Sequence, residues 1–291
     1  MRCLDGKGVD MNLGELKNRF VSELESHYPK SEVTTFFFML AERYLKVNRA
    51  DALLKVNKVV PDEVVEHIDN AIARLKKYEP IQYILGDTDF YGLNFIVEPG
   101  VLIPRPETEE LVDLIIKDTP LNASYQLLDI GTGSGCIAIT LGNSLKQCSV
   151  TAMDISEKAL AIASKNSSKN NVEIRFELHD ILSNSNWAQH YDIVVSNPPY
   201  VRMSEKQAMK ANVLDHEPEI ALFVEDSDPL TYYEAILKFC ITNLNTGGRL
   251  YFEINEYLGN DMVELVQRYE FRDVELIKDL AGKDRFIKAK K

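Results

Sequence analysis

Apolar residues recur at helical spacing near the start of the chain: Leu13, Leu16, Phe20, Val21 and Leu24 share one face, predicting an amphipathic helix that opens at Asn12. Residues 1–10 lack any such pattern and read as a leader, with Met11 as the natural start. Ser31 is the expected N-cap of a second helix, with Glu32 in its first turn and Phe36, Phe37, Met39, Leu40 and Tyr44 along it. A third helix is expected over 51–56, and a fourth, with Pro61 in its first turn, over 62–78. Because these aromatic residues keep the helical period, they read as core and not as a ligand box.

The period changes after Pro80. Gly86, Gly92 and Gly100 separate short β-type pieces such as 93–97, so 80–103 reads as a hairpin linking two domains. Ile103-Pro104-Arg105-Pro106-Glu107-Thr108-Glu109 then forms a stiff entry to a helix with acids in its first turn. From Tyr125 onward apolar β-type runs alternate with helical patterns. Strands are expected over 126–130, 149–153, 173–176, 193–196 and 249–254, followed by a closing antiparallel pair over 274–278 and 285–288. Such alternation implies an α/β fold: a doubly wound, mainly parallel sheet with right-handed crossovers and an antiparallel edge hairpin. The expected organisation is a leader at 1–10, a small all-α domain over 11–79, the linker hairpin over 80–103 and the α/β domain over 104–291.

Size allows two ordinary domains: the chain has 291 residues, 45% of them hydrophobic and 27% charged. No apolar run approaches the roughly 20 residues a membrane helix needs, and the amino terminus has no signal-peptide core, so the expected compartment is the cytoplasm. Cys3, Cys136, Cys148 and Cys240 are scattered, which supports neither a disulfide framework nor a zinc site. A net charge of -12 argues against long nucleic acid as the main partner.

Candidate chemistry sits at the ends of the predicted strands. After the first comes Gly131-Thr132-Gly133-Ser134-Gly135-Cys136, leading into an apolar helix. Alternate glycines let the backbone turn tightly and approach a ligand, while the helix amino terminus offers free N–H groups to an anion. Cys136 occupies the position where the dinucleotide fingerprint has its last small residue, so a nucleotide without pyrophosphate fits better. Asp154 ends the second strand about twenty residues past the glycines, where an acid accepts from both ribose hydroxyls. Asp180 follows the third strand and suits an adenine amino group, with Ile155 and Ile181 as apolar walls.

The fourth strand runs into Asn197-Pro198-Pro199-Tyr200. Two prolines forbid both ladder pairing and helix, so the strand stops and the backbone is held extended. The Asn197 oxygen and the Pro198 carbonyl can then accept from one planar NH2 group. Alone, the tetrapeptide reads equally well as a strand-terminating turn; the crevice traced by Gly131 to Gly135, Asp154 and Asp180 favours a site.

These residues resemble a known pattern. The glycine loop with Asp154 and Asp180 is similar to the S-adenosylmethionine site of class I methyltransferases, and Asn197-Pro198-Pro199-Tyr200 looks like the motif of members that methylate a planar amide or amino nitrogen. Together with Pro104-Arg105-Pro106-Glu107-Thr108-Glu109 and the helical amino-terminal domain, the chain resembles the PrmC/HemK family, the release factor glutamine N5-methyltransferases. Tyr83-Ile84-Leu85-Gly86, Phe90-Tyr91-Gly92, the run from Glu217 to Phe223 and the run from Asp279 to Arg285 are also similar. Val224-Glu225-Asp226 departs from the glycine-rich turn common in that family.

The resemblance implies S-adenosylmethionine as methyl donor, S-adenosylhomocysteine as product and the glutamine of the release-factor Gly-Gly-Gln loop as acceptor. It further implies that Gly131, Thr132, Gly133, Ser134, Gly135, Asp154, Ile155, Asp180, Ile181 and Asn197 hold the donor. Asn197, Pro198, Pro199 and Tyr200 then bind the acceptor, with the Tyr200 ring against its amide, and residues 105–108 line the donor's entrance. The neighbouring alternative is a nucleic-acid adenine-N6 or guanine-N2 methyltransferase acting on a flipped base, and a non-catalytic adenosyl-binding module is a third reading.

Overall fold

A computed structural model describes residues 11–120, 123–183 and 187–291; the leader expected at 1–10 lies outside the described residues. The chain divides into two compact units, with the boundary between Leu85 and Gly86.

The first unit is helical: α1 Leu13–Leu24, α2 Lys30–Leu45, α3 Arg49–Leu54, α4 Asp62–Leu75 and α5 Ile81–Leu85. Asn12 starts α1 with a reciprocal cap, its Oδ1 accepting from Glu15 N at 2.9 Å while Glu15 Oε2 accepts from Asn12 N at 3.0 Å. Leu13, Leu16, Phe20 and Leu24 of α1 are buried, with Val21 partly so, and Phe20 meets Phe37 of α2 with ring centroids 5.6 Å apart. Ser31 does not cap α2. Pro29 occupies that position, and its carbonyl accepts from Glu32 N and Val33 N, so the helix begins at Lys30 with no side-chain cap. The helix α4 stops before the expected 78: Tyr78 turns to a left-handed φ of 59°, and Arg74 folds back to bind Glu79. Residues 81–85, expected as β-type chain, are helical, and Ile81 and Ile84 join the helical core.

The second unit opens with the hairpin β1 Asp87–Phe90 and β2 Leu93–Ile96, followed by α6 Pro106–Asp118. Then come β3 Tyr125–Ile130, α7 Cys136–Ser144, β4 Cys148–Asp154, α8 Glu157–Asn170, β5 Arg175–Leu178 and β6 Tyr191–Ser196. Two short strands, β7 Val201–Arg202 and β8 Phe223–Val224, flank α9 Ala211–Leu214; the chain closes with α10 Thr231–Asn243, β9 Leu244–Glu253, α11 Gly259–Arg268, β10 Arg272–Lys278 and β11 Asp284–Lys290. The sheet order is β10-β11-β9-β6-β3-β4-β5, parallel from β9 to β5 and antiparallel where β11 pairs with β9 and β10.

Connectivity dictates where a ligand can sit. From β3 the chain steps outward to β4 and β5, then returns to place β6 on the other side of β3, which makes the β3–β6 boundary the topological switch point. Ile193, Val194 and Val195 of β6 are completely buried, so the register with β3 is fixed and Ser196 lies beside Ile130. The loops leaving these two strands therefore open side by side. Val224 pairs with Arg202, and Asp226 accepts from Ser204 N, so the Val224-Glu225-Asp226 stretch is tied to the chain after the Pro-Pro turn.

Candidate active site

The glycine loop is built by its own backbone. Gly131, Gly133 and Gly135 have φ of 74°, 55° and 82°, and the amides of Gly131 and Thr132 both donate to the Met153 carbonyl on β4. A Cβ on Gly131 or Gly133 would meet only open space, whereas one on Gly135 would lie 2.8 Å from the Ile139 side chain and 3.1 Å from Ala163. The first two glycines thus serve the loop's shape and face, and the third lets α7 pack against α8.

Asp154 braces this loop from the next strand. Its Oδ2 accepts from Gly133 N at 2.8 Å and its Oδ1 from Ser156 N at 2.9 Å. Burial raises its pKa, and the backbone N–H groups oppose that rise. Asp180 is held in the same manner, with Oδ1 accepting from Leu182 N at 2.9 Å.

One cleft of about 1180 Å³, counting the space open to solvent, joins these groups. Gly131 to Ser134, Asp154, Ile155, Asp180 and Ile181 line it, as do Asn197, Pro198 and Pro199; Gly135 and Tyr200 do not. Arg105 and Thr108 line it as well, while Glu107 does not. Arg105 is clamped to Glu217, its Nη2 donating to Oε1 at 2.7 Å, and Glu217 Oε2 accepts from Ile103 N. That buried carboxylate ties the Pro-Arg-Pro entry of α6 to the segment after α9.

Asn197 extends from the end of β6, and its Nδ2 donates to Thr108 Oγ1 at 3.3 Å. Among the described residues no donor meets Asn197 Oδ1 or the Pro198 carbonyl. The Tyr200 hydroxyl donates to Glu253 Oε1 at 3.1 Å, and its ring packs on the core beside the sheet. Through this hydroxyl bond Tyr200 braces the turn. Burial raises its phenol pKa, with Glu253 adding to the effect.

Two acids escaped the sequence reading. Glu253 ends β9 only 1% exposed; Asp129, the last residue but one of β3, is fully buried. Asp129 Oδ2 accepts from Thr132 Oγ1 at 2.6 Å and from Ala138 N at 3.2 Å, while its Oδ1 has no partner among the described residues. Burial pushes the Asp129 pKa from 3.8 to about 7, against the pull of those two bonds. Its neutral form is therefore the one the fold favours, so its contribution to stability is complete below 3.8 and is lost as pH rises through about 7. In urea unfolding the stability difference between Asp129→Asn and the wild type should therefore move in the variant's favour by a few kcal/mol as pH rises across that window. A difference that stays constant would assign the pH dependence elsewhere.

Comparison with known proteins adds kinship to this geometry. Residues 15–86 match the family "PrmC N-terminal domain" and residues 94–219 match "Methyltransferase small domain". The chain is 45% identical to the release factor glutamine methyltransferase of Flavobacterium psychrophilum over 281 residues, 96% of this chain and 99% of that protein. It is 48% identical to that of Bacteroides thetaiotaomicron over 267 residues, 91% and 95% of the two chains. Among solved structures, the T. thermophilus 16S rRNA N2 G1207 methyltransferase in complex with AdoMet and guanosine superposes with a TM-score of 0.52 at 17% identity, covering 70% of this chain and 49% of that one. This last likeness carries the fold alone.

Proposed function

We infer the reaction from one premise: the chain belongs to the release factor glutamine methyltransferase family, the PrmC/HemK proteins. It is an S-adenosylmethionine-dependent methyltransferase, and its acceptor is the side-chain amide nitrogen (N5) of a glutamine in peptide chain release factors, read here as that of the Gly-Gly-Gln motif. The observation that carries the reading at atomic level is the position of Asn197, beside the glycine loop across the β3–β6 boundary, with Nδ2 tied back to Thr108.

The residues present fit the donor molecule. The start of α7 and the loop amides suit its carboxylate, and Asp154 and Asp180 in one cleft suit a ribose diol and an adenine amino group. When bound, S-adenosylmethionine supplies an electrophilic methyl on a sulfonium. An amide nitrogen is a poor nucleophile, because its lone pair is delocalised into the carbonyl. Asn197 Oδ1 and the Pro198 carbonyl accept its two hydrogens, fixing its direction, and they stabilise the positive charge that grows on it during attack. No strong base is required, since the nitrogen becomes acidic once it has attacked.

Incubation with radiolabelled methyl donor tests the substrate class: label should enter release factor and not RNA or DNA. Label in nucleic acid alone would return the reading to base methylation, which the net charge of -12 disfavours. We place the protein in the cytoplasm with its substrate; among the described residues no helix is long and apolar enough to cross a membrane.

The helical unit, with a core of its own, is assigned to docking the release factor. Removal of residues 1–85 should raise the Michaelis constant for release factor by on the order of tenfold or more, the effect of losing a modest docking contact, and leave the dissociation constant of the methyl donor nearly unchanged. An equal change in both would refute the docking role.

A further inference from the structure

Asn197 can act as an acceptor only if its amide faces the right way. The two ends of a carboxamide have nearly the same shape, so packing alone does not select between them, and hydrogen-bond partners must. The partner of Asn197 is Thr108, whose single hydroxyl hydrogen is already committed: Oγ1 donates to Glu253 Oε2 at 2.7 Å. What Thr108 can offer Asn197 is a lone pair, and only the NH2 end can use it.

Glu253 in turn receives hydroxyl donors from both sides, Thr108 on Oε2 and Tyr200 on Oε1 at 3.1 Å, as an acceptor-only carboxylate would. From this geometry we propose that Glu253 is a positioning residue for methyl transfer, acting through Thr108 to hold the Asn197 NH2 inward and its carbonyl oxygen toward the acceptor amide. The proposal rests on the assignment of Asn197 as the amide clamp. The same carboxylate braces Tyr200, so both ends of the Asn-Pro-Pro-Tyr turn hang on one buried acid, supplied by a strand neighbouring β6 and reached from α6.

The relay is directional and therefore depends on ionisation. A protonated Glu253 could donate to Thr108, free its hydroxyl hydrogen to point at Asn197, and so admit the inverted amide. Burial raises the Glu253 pKa; the Thr108 and Tyr200 hydroxyls pull it down, as does Arg285, which is paired with Asp279 at 3.1 Å. Glu107 on α6 pushes it up; the Tyr233 hydroxyl donates to the Glu253 carbonyl, and the Cys136 thiol feels the acid's charge. The relay is intact while Glu253 is charged and is lost as pH falls through its raised pKa.

The test uses the full-length enzyme, with rates expressed per donor-binding site so that misfolded protein does not count. Thr108→Val keeps the shape and removes the hydroxyl; it should lower kcat about 100-fold, the scale of a misplaced reacting group, with donor affinity changed far less than kcat. Thr108→Ser should restore kcat to within about threefold, as a hydroxyl is all the relay needs. Glu253→Gln should also depress kcat, and it should remove the acidic limb of the wild-type kcat–pH profile. Thr108→Val with near-wild-type kcat would overturn the relay. So would a Thr108→Ser variant as impaired as valine, or an acidic limb that persists in Glu253→Gln. Asn197→Ala separates the two levels: if it is inactive while Thr108→Val is not, only the relay falls, whereas an active Asn197→Ala removes the clamp and the relay with it.

Discussion

Asn197→Ala is expected to lose methyl transfer by on the order of 1000-fold or more while its affinity for the methyl donor falls only modestly. One preorganised polar group at a site of developing charge is worth about 100- to 1000-fold, and here the same oxygen also aims the nucleophile. Alanine removes both effects yet leaves the glycine loop, Asp154 and Asp180 untouched, since among the described residues the side chain bonds to Thr108 alone. Single-turnover methylation of release factor, with calorimetry of the donor, separates the two quantities. A variant that turns over at the wild-type rate would remove Asn197 from the chemistry, and one that fails to bind donor would make it a structural strut.

Asp154→Ala should show the opposite division. The carboxylate accepts from Gly133 N and Ser156 N and still borders the cleft. Losing charge-assisted bonds to a ligand typically removes about 1 to 3 kcal/mol, and the loop amide released from Asp154 adds to the loss. Donor affinity should therefore fall by about 5- to 150-fold, with kcat at saturating donor much less affected. Asp154→Asn is no rescue: its NH2 end would face one of the two backbone N–H groups, setting donor against donor. Calorimetric affinity unchanged in the alanine variant would show that the acid only shapes the loop.

Local chemistry explains what the sequence made legible. Alternate glycines between a buried strand and an apolar helix, acids at successive strand ends, and a double proline after a β-branched run each carry their conformation within a few residues, and the fold gathers them in one cleft. Boundaries failed where two local signals competed. Ser31 looked like a cap, but Pro29 supplies the carbonyls that start the helix; residues 81–85 follow a proline yet form a helical turn whose apolar side chains complete the helical core.

Glu253 was out of reach for a different reason. Its bond to Thr108 spans 145 positions and exists only because β9 lands beside β6 while α6 packs alongside. Nothing near Glu253 in the chain announces a functional acid; it ends an apolar strand like any other. Tyr200 shows the same limit: its place in the motif gave no sign of the hydroxyl bond to that distant carboxylate. Pairings of this kind depend on strand order, which periodicity does not encode.

A crystal structure of the enzyme with S-adenosylhomocysteine and a Gly-Gly-Gln peptide tests the central claim most directly. The glutamine amide nitrogen should lie about 3 Å from both Asn197 Oδ1 and the Pro198 carbonyl oxygen, with Asn197 Nδ2 still on Thr108. A glutamine held elsewhere in the cleft, or an Asn197 whose NH2 end faces the peptide, would contradict it.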